Sequence, residues 1–393
     1  MLFVRTDRLK TGMRLARPIY NRDGVLLYER NSKLTTQGIQ SIRAFGLIGL
    51  YILEPAEPVP PMTQEDILFE RFQTMTVFSL QEELNKIREK KRGPKLQVIV
   101  NNILRRYGHQ DKKINFVQNL RSREDYLYKH TLNVGILCAL MTHVLNMKLE
   151  DQMDVIIAAL VHDVGKLSVP KSVAEKDNPG EAEREVISSY EVAGYGLIDS
   201  VFSAEPNIKR ICAQTQKALD DFKHNGTLGD SARLKYVTGS KVLIVAETFD
   251  TMTAMQLNKA PESEVTAIRY LIGNPQIFEP DIVDALIHSV NILVPGVSVE
   301  LNTGDKAIVI RNNDDDIFRP VVLGFRDNNV MDLSNAEYSD IEVADIMKTM
   351  DNRYIFDTKT LKEHGIIVKE PEIAKMSKGT AEEEEEYVPG KFF

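Results

Sequence analysis

The chain is poor in cysteine and has no excess of positive charge. Its 393 residues include two cysteines, Cys138 and Cys212, too few for a disulfide framework, which indicates a cytoplasmic protein with reduced thiols. Lysine and arginine number 49 against 57 aspartates and glutamates, a net charge of −8 at pH 7, and five of the acids form one run, Glu382–Glu386. Proteins that bind polyanions are usually basic, so we expect no nucleic-acid polymer as partner.

Long apolar runs are also missing. No segment reaches the roughly 20 apolar residues that cross a bilayer, which predicts no membrane span. Residues 1–7 lack the basic start and apolar stretch of a secretory leader. The content of 43% hydrophobic and 27% charged residues is typical of a globular protein with a real core. We therefore expect a cytoplasmic protein of two or three domains.

Proline marks the first domain boundary. Residues 1–53 combine short apolar stretches with turn residues at Asn21–Gly24, which predicts a small β-rich module. Residues 54–62 carry four prolines and are typical of an extended linker. The hydrophobic period then becomes helical, with a capping box at Thr63 and Asp66.

Helical periodicity continues to residue 294, and residues 63–294 therefore predict an all-helical domain. After Pro295 and Gly296 the period returns to two, which predicts a small β appendage over residues 295–345. Residues 346–393 form a C-terminal extension whose acidic tail we expect to be disordered. The predicted fold class is mainly α with small β modules at both ends, α+β overall.

A histidine and a His–Asp pair stand where apolar helices are expected. His130 shares a helix face with Val134, and Asp163 continues the apolar stripe of Leu160 with His162 beside it. A buried carboxylate costs several kcal/mol unless something positive meets it. Two histidines and an aspartate are natural ligands for a divalent cation. Spacing alone leaves a second interpretation open, in which His130 is a hydrogen-bonded core residue and Asp163 pairs with Lys166.

Two further acids, Glu247 and Asp250, interrupt the apolar segment 241–250. They lie three residues apart on one helix face, where like charges repel unless a cation or a donor separates them. In one interpretation Glu247 is a metal ligand, and Asp250 does not touch the metal but supports one of the ligands and fixes its orientation. In the other, Asp250 caps a neighbouring helix and Glu247 reaches solvent.

Residues 123–256 resemble the HD-GYP branch of the HD-domain metal-dependent phosphohydrolases. The resemblance rests on the segments Tyr128–His130, His162–Pro170 and Val245–Asp250, of which the second carries the specific pattern His-Asp-x-Gly-Lys-x-x-x-Pro. The β-rich flanks are similar to small modules that accompany this domain in some bacterial proteins. The resemblance implies a central helical HD-type bundle in a cytoplasmic bacterial signalling protein.

Enzymes of that branch hydrolyse cyclic di-GMP at two or three metal ions, which bridge the phosphate and activate a water. Carried over by residue, His130, His162 and Asp163 would be metal ligands, and Glu247 would stand at the position of a distal aspartate ligand. Lys166 would contact phosphate. If active, the chain would be a metal-dependent phosphohydrolase.

Several ligand positions of that branch are changed in this chain. Tyr190 replaces a ligand histidine, and Thr215 and Gln216 align with a pair of histidines. The Gly-Tyr-Pro loop is absent from residues 224–229, and Glu247 is one methylene longer than aspartate. Neutral threonine and glutamine are poor ligands for a transition metal. The remaining four residues predict one divalent ion, Fe, Mn or Zn, or none if the site is fully degenerate.

Three functions remain open from the sequence. The first is a degenerate HD-GYP-like signalling protein that acts as a sensor or interaction module, with a cyclic dinucleotide or another protein as its partner. The second is an active mononuclear HD phosphohydrolase that cleaves cyclic di-GMP or another nucleotide phosphodiester. The third is a metal-free structural scaffold. The apolar helix expected over residues 63–92 predicts either a homodimer interface or packing onto the domain's own core.

Overall fold

Three units follow one another along the chain in a computed structural model. The described residues are 2–21, 24–53, 63–174, 176, 179–225, 235–256, 259–347 and 358–365. The proline-rich linker 54–62 and the acidic tail both lie outside these residues, and so does most of the C-terminal extension. No helix in these ranges combines the length and apolar character needed to span a bilayer.

The N-terminal unit is built on a three-stranded antiparallel sheet. Its strands are β1 (Leu2–Arg5), β2 (Arg14–Leu15) and β5 (Gly49–Leu53), in the order β1-β5-β2. A separate pair is formed by β3 (Ile19–Tyr20) and β4 (Leu26–Tyr28). The prediction of a β-rich module left out the helix α1 (Thr36–Ala44). The hydroxyl of Thr35 caps this helix by accepting from the Gly38 N–H, a local signal that could have located it.

Most of the chain between the two β units is helical, as predicted. The helices are α2 (Gln64–Arg88), α3 (Lys95–Tyr107), α4 (Tyr126–Val144), α5 (Leu149–Val161), α6 (Lys171–Ala174), α7 (Glu181–Val201), α8 (Pro206–Asn225), α9 (Thr238–Thr253), α10 (Glu264–Gly273) and α11 (Pro280–Ser289). A 3₁₀ turn, Val164–Ser168, follows α5. The central helix is α4, which is surrounded by α2, α3, α5, α9 and α11.

Helix α2 begins at the predicted capping box. The Thr63 hydroxyl accepts from the Asp66 N–H at 3.1 Å, and the Asp66 carboxylate accepts from the Thr63 N–H at 2.7 Å. Its apolar residues Phe69, Leu80 and Leu84 are buried against the chain's own helices. Packing onto the domain's own core therefore buries much of the apolar surface that could otherwise have formed a homodimer interface.

The C-terminal unit is a five-stranded antiparallel sheet. Its strands are β6 (Ser298–Leu301), β7 (Lys306–Arg311), β8 (Val321–Gly324), β9 (Val330–Asp332) and β10 (Val343–Ile346), in the order β10-β6-β7-β8-β9. The two expected hairpins are β6–β7 and β8–β9. Strand β10 lacks a clear alternating pattern, so its place at the edge of the sheet beside β6 was not predicted. A short helix, α12 (Thr358–Glu363), follows the sheet.

Candidate metal centre

Four side chains from three separate parts of the helical domain converge on one point. His130 comes from α4, His162 and Asp163 follow the end of α5, and Glu247 comes from α9. One ligand atom of each lies within 4.8 Å of the others. His130 Nε2 is 2.6 Å from Glu247 Oε2 and 3.8 Å from Asp163 Oδ2. His162 Nε2 is 3.3 Å from the same Glu247 oxygen and 3.7 Å from the same Asp163 oxygen.

The helix packing explains why these residues meet. Helix α4 is in contact with both α5 and α9, and all three are mostly buried along their length. Helix α5 ends at Val161, so His162 and Asp163 leave the helix where the chain turns into the 3₁₀ segment. Asp163 thus lies past the helix end, and the expectation that it continues the helical stripe of α5 is wrong in that detail.

Both histidine rings are held in place by a hydrogen bond at Nδ1, the ring nitrogen that points away from the centre. His130 Nδ1 lies 2.6 Å from Asp250 Oδ2, and His162 Nδ1 lies 2.8 Å from the carbonyl oxygen of Ala159. Because each of these partners is an acceptor, Nδ1 carries the proton and each Nε2 faces the centre. Histidines that bind metals are commonly held this way, with the second ring nitrogen donating to a carboxylate or a carbonyl.

Asp250 is in turn surrounded by donors. Arg121 Nη2 donates to both of its oxygens at 2.8 and 2.7 Å, and Asn133 Nδ2 and Gln118 Nε2 donate to Oδ1 at 3.0 and 3.1 Å. Both Arg121 and Asp250 are fully buried. Arg121, Gln118 and Asn133 were not among the residues predicted from the sequence. A polar Asn133 inside an otherwise apolar helix was a usable signal, but nothing in the sequence ties Arg121 to a partner 129 positions away.

The electrostatics of the centre are those of a compact charged cluster. Burial alone would lower the pKa of His130, but the carboxylates of Glu247 and Asp250 outweigh it and raise that pKa well above its usual value. Burial would likewise raise the pKa of Glu247, yet His130 and His162 hold it well below its usual range. Arg121 and His130 keep the pKa of Asp250 low against the same burial. The carboxylates of the cluster are therefore held negative by positive partners, the two imidazoles on Glu247 and Arg121 with His130 on Asp250.

Lys166 lies on the 3₁₀ turn at the edge of the centre. Its Nζ is 2.8 Å from Asp163 Oδ2 and 3.4 Å from Glu191 Oε1, and its side chain is 31% exposed. Burial would lower the pKa of Lys166, but Asp163 and Glu247 outweigh it and raise the pKa. The Asp163–Lys166 pair of the alternative interpretation is therefore present, while the same Asp163 oxygen also faces both histidines. Glu191 was not among the residues predicted from the sequence.

A close glycine contact fixes the 3₁₀ turn against α7. A Cβ on Gly194 would lie 2.8 Å from the Gly165 Cα, and a Cβ on Gly165 would lie 2.9 Å from the Gly194 Cα. Real Cβ atoms do not approach other atoms this closely, so neither position admits a side chain without movement of backbone. This contact holds Lys166 and Glu191 on facing segments.

We predict that Gly194→Ala lowers the free energy of unfolding by about 1–3 kcal/mol, because the new methyl group must push α7 away from the 3₁₀ turn. Gly196→Ala is the matched control, since this exposed position on the same helix has nothing within 4 Å of the added carbon. Its helix propensity should leave stability unchanged or raise it by up to about 1 kcal/mol. Urea unfolding of both variants tests the contact, and equal midpoints would contradict it.

The residues at the three changed ligand positions, Tyr190, Thr215 and Gln216, are not among the four side chains that converge on the centre. The backbone of Tyr190 lies against Gly165, and its side chain is partly exposed on α7. Thr215 is buried, and its hydroxyl has no hydrogen-bond partner among the described residues. Gln216 Nε2 donates to both oxygens of Asp220, at 3.0 and 3.1 Å. Residues 226–229 and the side chain of His224 lie outside the described part of the chain.

The donor set fits one divalent ion. Two imidazole Nε2 atoms and two carboxylates form a mixed nitrogen and oxygen set that suits Fe, Mn or Zn. His130, His162, Asp163 and Glu247 would hold the ion, and Asp250 and Ala159 would keep the rings in place. A bound ion would supply Lewis-acid activation of a phosphate oxygen or of a water.

Comparison with known proteins agrees with this picture at the level of the superfamily. Residues 116–282 match the family model described as HD domain. A cyclic di-GMP phosphodiesterase of Pseudomonas aeruginosa is 23% identical over 212 residues, which are 52% of this chain and 49% of that protein. The chain thus spans about half the length of the curated relative that it matches. Together these findings support placing the helical domain of this chain, over residues 116–282, in the HD superfamily.

Proposed function

We propose that this chain is a bacterial signalling protein whose HD domain holds one divalent ion and lacks full cyclic di-GMP phosphodiesterase activity. It would be a degenerate member of the HD-GYP branch that works as a sensor or as an interaction module. The observation that carries the proposal is the number of donors. Four donor residues surround one point, and the changed positions provide no second set.

A second metal would need further imidazole or carboxylate ligands close to the first. Tyr190, Thr215 and Gln216 offer neutral oxygens or an amide, which bind transition metals poorly. The amide of Gln216 is already engaged with Asp220. This supports one ion, and hydrolysis by a pair of metals that clamp one phosphate from two sides is not expected.

Lys166 supports a phosphate-bearing ligand at this centre. Its ammonium group lies beside Asp163 and is the most exposed charged group of the cluster that we describe. We propose that it meets a phosphodiester oxygen that also approaches the metal, which suits a cyclic dinucleotide as ligand. Phosphate binding by a lysine and a metal does not by itself require turnover.

A second candidate is a live mononuclear HD phosphohydrolase. It is favoured by the ring orientation, because the Arg121–Asp250–His130 chain holds a ligand histidine in fixed geometry, a feature of centres that perform chemistry. A metal-free scaffold is the third alternative, and it would leave Asp163 neutralised by Lys166 and the two histidines.

One experiment separates these functions. The purified full chain, loaded with Mn²⁺, is mixed with cyclic di-GMP. Calorimetry measures binding, and chromatography of the nucleotides measures hydrolysis. The proposal predicts measurable binding without turnover, weakened by Lys166→Ala and unaffected by the exposed control Lys171→Ala. Turnover that requires Asp163 would establish the second candidate instead. Absence of both heat and turnover would remove the cyclic dinucleotide and leave a protein partner or the metal-free scaffold.

A homodimer through residues 63–92 stays a prediction. The exposed apolar side chains of α2 are Leu68 and Met75, at 45% and 42% exposure. They form a smaller surface than the sequence pattern implied, because Phe69, Leu80 and Leu84 are buried.

A further inference from the structure

A cavity lies where the three units meet, and none of the four candidate metal ligands lines it. Its volume is about 280 Å³. The N-terminal unit contributes Arg17 and Tyr51, the helical domain contributes Glu70 and Glu264, and the C-terminal unit contributes Ser298. Cavities near this size that join several units are the usual position of small-molecule sites.

Much of the cavity wall is apolar and aromatic. Phe3 and Phe116 line it from two different units, with Pro261, Val297 and Met347 between them. Phe3 and Tyr51 meet edge to face, with ring centroids 5.9 Å apart. A ligand with a flat or apolar body would bury its surface well here, while its polar end must be met by the few polar groups of the wall.

Two of those polar groups are carboxylates that form no ion pair with a described residue. Glu70 Oε2 is buried and accepts no hydrogen bond, and neither Glu70 nor Glu264 forms an ion pair with any described residue. Burial is the main reason that the pKa of Glu70 rises to about 7, and burial also raises the pKa of Glu264. Arg17 offsets part of both increases in pKa, but Glu70 keeps a buried oxygen that no donor meets, which is costly.

The other charged groups of the wall are engaged. Arg17 donates to the backbone oxygen of Gln118 at 2.6 Å and covers the Tyr51 ring at 4.2 Å. Asp66 accepts from the Thr63 backbone and from Asn115. Arg30 lies on the same wall and also has an interaction partner. The wall carries four carboxylates against two guanidinium groups, so its formal charge is negative; the carboxylates belong to Asp66, Glu70, Glu262 and Glu264, and the guanidinium groups to Arg17 and Arg30.

Ser298 adds an independent sign that something binds here. Ser298 is 7% exposed, and its Oγ is buried with no hydrogen-bond partner among the described residues. It lines the same cavity from the opposite unit. Buried hydroxyls nearly always have a partner, so an orphaned one on a cavity wall marks a position that a ligand atom would fill.

We propose that this cavity is a binding site for a small organic cation with an aromatic or apolar body. Its amine or amidine group meets Glu70 and Glu264, Ser298 accepts from the same group, and the apolar part lies between Phe3 and Phe116. The site is separate from the metal centre, so it stands whether or not that centre binds a nucleotide.

Benzamidine and benzamide test the proposal as a matched pair, because they share shape and differ in charge. Calorimetry with the full chain should show benzamidine binding at least tenfold more tightly than benzamide. Glu70→Gln and Glu264→Gln should each remove most of that preference, while Glu82→Gln, an exposed carboxylate on the same helix as Glu70, should leave it unchanged.

Three results would overturn the proposal. They are no preference for benzamidine over benzamide, a preference that survives in both Glu70→Gln and Glu264→Gln, and no binding of either compound. If Glu70→Gln fails to fold, by circular dichroism, Glu264→Gln alone decides. Asp163→Asn must keep the preference, because its loss there would assign the cation to the metal centre instead.

Discussion

Asp163→Asn is expected to weaken binding of a divalent ion by roughly 100-fold or more, since loss of residues that only orient a ligand already costs 10- to 100-fold. The change removes a carboxylate that lies within 3.8 Å of both His130 Nε2 and His162 Nε2 while keeping its size. Competition of the chain against a fluorescent chelator for Mn²⁺ or Zn²⁺ measures the effect.

Asp284→Asn is the control for this variant, because Asp284 is an exposed aspartate on α11. Both variants should keep the circular dichroism of the parent, since Lys166 loses only one partner and retains Glu191. Unchanged metal affinity in Asp163→Asn would show that Asp163 serves the Lys166 pair alone and does not ligate.

Arg121→Met should lower the free energy of unfolding by about 3–5 kcal/mol, the usual cost of leaving one member of a buried ion pair without its partner. Arg121 is the residue that donates to both oxygens of Asp250, and both side chains are fully buried. The variant should also loosen the His130 ring and weaken metal binding. Urea unfolding of the metal-free chain measures the free energy of unfolding separately from any effect on metal binding.

Two further variants make this prediction sharper. Arg105→Met, at an exposed position on α3, should change stability by less than about 0.5 kcal/mol. The double variant Arg121→Met with Asp250→Leu should recover part of the loss, because it removes both charges together. A double variant less stable than Arg121→Met alone would contradict the view that an uncompensated Asp250 causes the loss.

The helical part of the fold was predictable because its signals are local. The apolar period of 3.6 predicted a helical domain over residues 63–294, and α2 begins at the capping box predicted at Thr63. Helix α1 was missed although Thr35 gave a local capping signal, whereas strand β10 was missed for a physical reason. Strand β10 is defined by its pairing with β6, some 40 residues earlier, and such pairing leaves little trace in a short segment.

The residues of the candidate site likewise fall into those that local sequence signals could indicate and those that they could not. His130, His162, Asp163, Glu247 and Asp250 could be proposed because ionisable residues interrupt apolar helices, and the structure brings these five together. Arg121, Gln118 and Glu191 could not, since their roles depend on contacts between distant segments. The cavity at the junction of the three units was equally invisible, because its wall is assembled from residues 2 to 347.

The number of ions that one chain binds tests the central claim most directly. The chain is stripped with a chelator, dialysed and titrated with Mn²⁺ or Zn²⁺ in a calorimeter, with Asp163→Asn titrated in parallel. We predict one ion per chain for the parent and a strongly weakened site in the variant. Two tightly bound ions, or none, would contradict a mononuclear centre at His130, His162, Asp163 and Glu247.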